Sequence, residues 1–325
     1  MAYTTINKHT DYFNTVLYTG NGSAGNAQTG VGFQPDFTWI KGRSATYNHG
    51  LYDAVRGVTK RIVSNNNNAE DTRADALTAF GTDGFTLGTD SQVNANTATY
   101  ASWNWKASGS TASNSNGSIN STVSVNTTAG FSIVTYTGTG STATVGHGLG
   151  VVPSMIIIKR RDDTDDWQIY HKSIGNTKYL AFNSTAAATT SSTRWNDTTP
   201  TNSVFTVGTA GATNGSGRTF VAYCFAEKTG YSKFGSYKGI GNADGTFVYT
   251  GFKPAFVIIK GAVSGDGNAG QHWELFDNKR LGYNVDNNSL LPSSSGTENT
   301  GDRIDLLSNG FKIRISSDGV NDNNS

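Results

Sequence analysis

One cysteine, five prolines and two methionines are all that 325 residues hold of these three types. A single cysteine excludes a disulfide framework within the chain. Cys224 sits in the apolar run Phe220 to Phe225, where an inert, buried thiol is expected. Charge is scarce too. Charged residues make up 15% of the chain, against about 25% in typical globular proteins. The net charge is +1 and no Lys/Arg cluster stands out, so the electrostatic footprint of a nucleic-acid binder is missing. No apolar run reaches the ~18 residues of a membrane span. Met1 to Thr10 is polar and lacks the apolar stretch of a signal peptide. The expectation is synthesis in a cytosol, with any extracellular role following lysis or a route other than Sec.

Apolar residues are 35%, below the usual 45–50%, and Gly, Asn, Ser and Thr fill the gap. Many short strands joined by long polar turns have this composition. Disordered chains share it but lack aromatics. Here aromatics are 11%, and they recur at fixed positions.

Those positions define an internal repeat. Copy one reads Tyr18-Thr19-Gly20-Asn21-Gly22, then Pro35, then Phe37 to Ile40 closed by Lys41. Copy two reads Tyr136-Thr137-Gly138-Thr139-Gly140, then Pro153, then Met155 to Ile158 closed by Lys159. Copy three reads Tyr237-Lys238-Gly239-Ile240-Gly241, then Pro254, then Phe256 to Ile259 closed by Lys260. The first glycine precedes the proline by fifteen in each copy (35−20, 153−138, 254−239), and the lysine follows it by six. Framing residues recur downstream: His49 and Asp53, Trp167 and His171, Trp273 and Asp277. Then come Phe85, Phe205 and Phe311, followed nine, nine and ten residues later by Asn94, Asn214 and Asn321. Copies one and two close on an aromatic strand, Tyr100 to Trp105 and Phe220 to Phe225. Copy three has no such strand before Ser325.

The expected organisation is all-β: three tandem β-sandwich, jelly-roll-like domains, the third lacking its final strand. The boundaries are 1–107, 129–227 and 228–325, with a Ser/Asn-rich linker at 108–128 in which Ile119 to Val125 alternates like a short strand. The short junction Glu227 to Gly230 predicts that copies two and three pack together more rigidly than one and two. A proline heading each apolar run suits a strand's first position, where no ladder N–H is lost. Gly-x-Gly supplies the positive φ of tight turns. The best helix candidate is Ala69 to Phe80, ended by Gly81.

Candidate chemistry is thin. The Gly-x-Gly turns lack the third glycine of a dinucleotide site and the Lys-Ser/Thr of a P-loop. Lys41, Lys159 and Lys260 are expected to be strand-end charges facing Asp53, His171 and Asp277. Copy two's histidine in that slot argues against one shared reaction. The five histidines fall in different copies without zinc-ligand spacing, and His147 reads as a turn residue. The acidic run Asp162, Asp163, Asp165, Asp166 is the one candidate calcium loop, although it lacks the Gly and distal Glu of an EF-hand. The same acids would have to supply the paired carboxylates of a glycosidase. Trp39, Trp103, Trp105, Trp167 and Trp273 sit in strand-like contexts and read as core. Trp195, in the polar stretch Ser191 to Thr199, is the candidate exposed ligand contact. No cofactor and no catalytic residue are expected.

The phrases VLYTGNGS, GFQPDFTWIKGRS, FSIVTYTGTGSTATVGHGLGVVP, TFVAYCFAEKTGYSKFGSYKG and DGTFVYTGFKPAFVIIK, with the opening MAYTTIN, resemble a repeat protein of tailed phages, especially aquatic ones. Such proteins are described as tail-fibre or virion structural proteins. The resemblance runs nearly end to end and carries no catalytic or ligand residue. It implies a non-enzymatic fibre or appendage subunit of a virion, contacting other virion proteins, with glycans of the host surface as the candidate receptor. A carbohydrate-binding module and a glycan-degrading spike are the alternatives. Members of that family tend to finish the third copy with a strand like Phe220 to Phe225. This sequence departs there, which suggests either more chain or strand addition from a neighbour, with Met1 to Ile6 as candidate donor and a homo-oligomer or head-to-tail fibre as the product.

Overall fold

A computed structural model describes residues 4–263, 271–280, 284, 288–316 and 319–323. The chain is nearly all strand, with antiparallel pairing throughout the named sheets. In copy one an opening strand (Phe13–Thr19) and a proline-led strand (Phe37–Gly42) flank a central strand (Thr99–Trp105). A fourth strand (Gly50–Asp53) pairs with the outer edge of the proline-led one. Copy two repeats this order with Phe131–Thr137, Thr219–Phe225, Met155–Arg160 and Gln168–His171. The register repeats as well: Phe37 lies opposite Trp105, and Met155 opposite Phe225.

Each four-stranded sheet has two apolar faces, as the continuous runs predict. The outer face packs on a small second sheet of its own copy. In copy one Tyr18, Ile40, Tyr52, Phe85, Leu87 and Tyr100 form that layer. Tyr136, Ile156, Ile158, Phe205 and Phe220 form it in copy two, and Val257, Ile259, Phe276, Leu306 and Phe311 in copy three. These are β-sandwiches. The inner faces of all three copies meet in one shared core, built around Phe37, Trp39, Trp103, Ile157, Trp167, Tyr223, Trp273 and Leu275. Five of the six tryptophans belong to or pack against it, as their strand contexts predicted.

The repeated asparagines explain how each turn is held. Asn94 Oδ1 accepts from Asn21 N at 2.9 Å, Asn214 Oδ1 from Thr139 N at 2.8 Å, and Asn321 Oδ1 from Ile240 N at 3.0 Å. Their amides donate to nearby carbonyls, so a buried side chain locks each Gly-x-Gly turn to the segment ahead of the central-strand position. The second glycine is left-handed in all three turns, at φ +67°, +77° and +63°. The first is needed for space. A Cβ on Gly20 would stand 2.2 Å from the Ala95 carbonyl oxygen, and one on Gly138 2.4 Å from that of Gly215. Gly20→Ala should therefore lower stability by about 1–3 kcal/mol, the usual cost of overpacking. An unchanged thermal midpoint would refute this role.

Two expectations change, and an arrangement the sequence left open is decided. Residues 108–128 are not a free linker. Ala112–Asn114 and Ser121–Asn126 are strands that extend copy two's sheet to six. Ile119 and Val123 supply apolar contacts to its outer layer, which a Ser/Asn-rich composition hides. Ala69 to Phe80 forms no helix. Asp71–Thr72 and Leu77–Gly81 are strands, because Leu77 is drawn into the outer layer and pairs with Leu87. And the copies do not stand side by side as beads, since the shared core closes them around one another.

Candidate functional site: the ties between copies

The framing residues of the repeat are the contacts between copies. The first framing residue of each copy reaches a backbone carbonyl of another copy. Trp167 Nε1 donates to Val63 O at 2.9 Å, and Trp273 Nε1 to Ala181 O at 2.8 Å. His49, in the same slot, has Nε2 3.0 Å from Leu291 O, while its Nδ1 accepts from Trp39 Nε1. Val63, Ala181 and Leu291 each directly follow a residue bridged to the fourth strand (Ile62, Leu180, Leu290). The direction is cyclic: copy two holds copy one, copy one holds copy three, and copy three holds copy two.

The lysines follow the same cycle. Lys41 Nζ donates to Gly42 O at 2.7 Å and, across the junction, to Ser295 O at 3.2 Å. Lys159 Nζ donates to Arg160 O and to Asn67 O of copy one. Lys260 Nζ donates to Gln271 O and to Thr185 O of copy two. None of these lysines is bonded to the Asp53, His171 or Asp277 position expected to face it. Burial pushes all three ammonium groups down, from 10.5 to about 8. A neutral amine keeps two N–H donors, and each lysine has two carbonyls to satisfy, so deprotonation leaves the tie intact.

This sets a pH dependence. Lysines of the unfolded chain titrate near 10.5, those of the folded chain near 8. Between these values the unfolded state binds more protons, so stability rises with pH across that window. Above about pH 10 buried tyrosines such as Tyr18 and Tyr136, whose hydroxyls burial pushes up, reverse the trend. The melting temperature should climb between about pH 8 and about pH 10. Lys→Met at all three positions should flatten that rise. A wild-type midpoint that is flat or falling there would refute it.

The last framing residue organises a buried charge network. Asp53 accepts from Arg56 Nε and from the backbone N–H of Val55 and Arg56. Tyr223 OH, from copy two's central strand, donates to Asp53 Oδ2 at 2.7 Å. Arg56 also reaches Glu70 at 3.0 Å, and Glu70 binds Arg161 of copy two at 2.9 Å. Copy three repeats the set. Arg280 Nε lies 2.7 Å from Asp277, Trp103 Nε1 of copy one donates to Asp277 at 2.9 Å, and Glu298 joins Arg280 to Arg43 of copy one. The Asp and Arg side chains are fully buried in both networks. Burial works to raise the Asp277 carboxyl, but the Arg280 guanidinium and the hydrogen bonds around it hold it below the ordinary value. Copy two has His171, Ile174 and Ala188 in the corresponding places, and Ala188 N bonds the Ala262 carbonyl of copy three without any ion pair. The buried charged ties therefore join one to two and three to one. At the short 227–230 junction the ties are half-exposed instead: Glu227 meets Lys172 of copy two at 2.7 Å and Lys233 of copy three at 3.4 Å.

The sequence signal was available. Asp-x-x-Arg occurs at Asp53–Arg56 and Asp277–Arg280, and Asp, Arg and Glu vanish together in copy two. Their matched loss marks residues in mutual contact.

The candidate ligand residues resolve differently. Trp195 is not exposed. Only 2% of its surface reaches solvent; its ring packs edge-on to Tyr170 and its Nε1 donates to Lys178 O. A one-turn helix, Ser192–Trp195, turns the ring inward out of a polar stretch. The acids Asp162, Asp163 and Asp165 close on Arg160, at 2.9, 3.0 and 3.9 Å, and Asp166 takes the Asn183 amide. Their lone pairs face a guanidinium, which overturns the calcium loop. Among the described residues no group of three or more His, Cys, Asp or Glu is placed to hold a metal. Cys224 is buried, and burial pushes its thiol up to about 12. His147 is buried in its turn, its Nδ1 accepting from Leu149 N. A cavity of about 140 Å³ lies between copies one and three, lined by His9, Phe13, Asn14, Ala255 and Lys279 among others. Burial, then Lys279, lowers the basicity of His9 there. No helix among the described residues is long and apolar enough to cross a membrane.

No curated protein and no solved structure matches the chain. One family model does, over residues 8–325, so a single model spans all three copies and the junctions that tie them. The chain belongs to the family of that model, described as Domain of unknown function (DUF7483).

Proposed function

We propose that this chain is a non-enzymatic structural subunit of a tailed-phage virion, a fibre or appendage block exposed after host lysis. The observation that carries the structural part is the cyclic interlock. Three copies share one aromatic core, and their most deeply buried lysines, carboxylates and guanidinium groups are committed to holding neighbouring copies. Perturbed ionisable groups otherwise suggest catalysis. Here Lys41, Lys159, Lys260, Asp53, Arg56, Asp277 and Arg280 are each held by partners within the chain. The virion assignment rests on the sequence resemblance, and homo-oligomer or fibre formation belongs to it.

The carbohydrate-binding alternative had Trp195 as its residue, and that ring is core. The glycan-degrading alternative had the Asp162–Asp166 run, three of whose four carboxylates are gathered on Arg160.

Antibody raised against the purified chain should decorate appendages of intact particles from the source phage in negative-stain images. Undecorated particles would overturn the virion role. Hydrolysis of a host polysaccharide by the purified chain would overturn the non-enzymatic one.

A further inference from the structure

Copies one and two insert a central strand between the opening and proline-led strands. In copy three the proline-led strand, Phe256–Lys260, pairs on one side only, with Trp273–Asp277. Among the described residues nothing takes the other side. The consequences are local. Phe37 and Trp39, and likewise Met155 and Ile157, are buried against their central strands. Their counterparts Phe256 and Ile258 remain half-buried. The counterpart of the opening strand, Ser232 to Lys238, forms no strand, although Tyr237 keeps its tie to Val320 O.

We propose that this slot is a strand acceptor, and that its occupant is an extended segment of a separate polypeptide. Both segments of the required pattern within the described residues already fill the other two slots. Thr4 to Ile6 forms no strand and Ile6 is buried, while the rest of the candidate donor, Met1 to Tyr3, lies outside the described residues.

The filled slots specify the occupant. Thr99–Trp105 and Thr219–Phe225 are seven residues long and run antiparallel to the proline-led strand, six of the seven in register with it. Both carry aromatics at the second, fifth and seventh positions and a small residue at the fourth (Ser102, Ala222). The backbone waits in register. Asp36 and Ser154 donate to the seventh residue of their central strands, and Arg43 and Arg161 to the first. Ala255 and Ala262 occupy these places in copy three. The fifth side chain is specified by the cycle as well: Trp103 meets Asp277, Tyr223 meets Asp53, and the third member meets His171. His171 Nδ1 accepts from Ser173 N. A neutral imidazole then bears its hydrogen on Nε2 and donates, so an acceptor such as a tyrosine hydroxyl fits the fifth position.

The test adds a peptide copying Thr219–Phe225 (with Cys224→Ser against oxidation) to the full chain and follows amide hydrogen exchange. A second arm appends the same seven residues after Ser325 through a five-residue Gly/Ser linker. The expected result is at least tenfold slower exchange over 255–262, with 37–42 and 155–160 unchanged, and no effect from a peptide with proline at its fourth position. Protection by the free peptide would show that a separate molecule suffices as donor. Protection only when appended, with none from the free peptide at saturation, would overturn a separate donor. No protection of 255–262 in either arm, or protection only elsewhere, would overturn the acceptor.

Discussion

Asp53→Ala should cost about 3–5 kcal/mol and lower the melting temperature by roughly 5–15 °C. The substitution removes the carboxylate that neutralises Arg56, whose guanidinium has no exposure to solvent. It also strips Tyr223 OH of its acceptor across the junction and leaves the amides of Val55 and Arg56 unmatched. An unpaired buried charge is what makes the loss large. The intact pair itself need contribute little, because desolvation offsets most of its attraction. Replacing Asp53, Arg56 and Glu70 together by the residues of copy two, His, Ile and Ala, should therefore recover much of the stability. That triple exchange also removes the partner of Arg161, which is partly exposed and loses less. Chemical denaturation of the single and triple variants decides the matter. A single variant within about 1 kcal/mol of wild type would mean that water or another side chain reaches Arg56.

Trp103→Ala should be comparably damaging, at about 3–5 kcal/mol. The indole is fully buried in the shared core, edge-on to Trp39 and Phe256, with the Arg280 guanidinium 5.7 Å from its ring centre. Its truncation opens a cavity where three copies meet and removes the hydrogen bond to Asp277. Trp103→Phe separates the two contributions. It keeps most of the ring and loses the N–H, and should cost about 1.5–3 kcal/mol, as for a bond to a charged group. Equal losses for Ala and Phe would assign the whole effect to the hydrogen bond. A loss confined to copy one, seen as exchange protection retained in copy three, would contradict a core common to all three.

A variant in the outer layer offers the contrast. Phe85 packs within copy one alone, so its loss should leave the junctions with copies two and three closed.

Much of this molecule could be read from its residues. Fixed spacing among glycine, proline, lysine, the framing pair and asparagine established three copies, and short β-branched and aromatic runs established strands buried on both faces. Local chemistry determines those features: positive φ at the second glycine, a proline where no ladder N–H is needed, two apolar faces in one run. The missing central strand was also legible, because a seven-residue pattern present twice is absent the third time.

Tertiary structure decided the rest, since it depends on which surfaces meet. Trp195 looked exposed among polar neighbours, but a single helical turn aims it inward. The acids at 162–166 looked like a metal loop until Arg160, at the end of a strand, folded over them. Residues 108–128 looked like linker because an edge strand can be polar on its free face. Above all, the copies could have been beads on a string. That they close into one body follows from the inner faces of the sheets, which no copy can bury alone, and from lysines and framing residues whose partners lie about three-quarters of the chain away or in the adjoining copy. The repeat locates these residues but not which copy each one reaches. Those pairings become visible only once three sheets share a core.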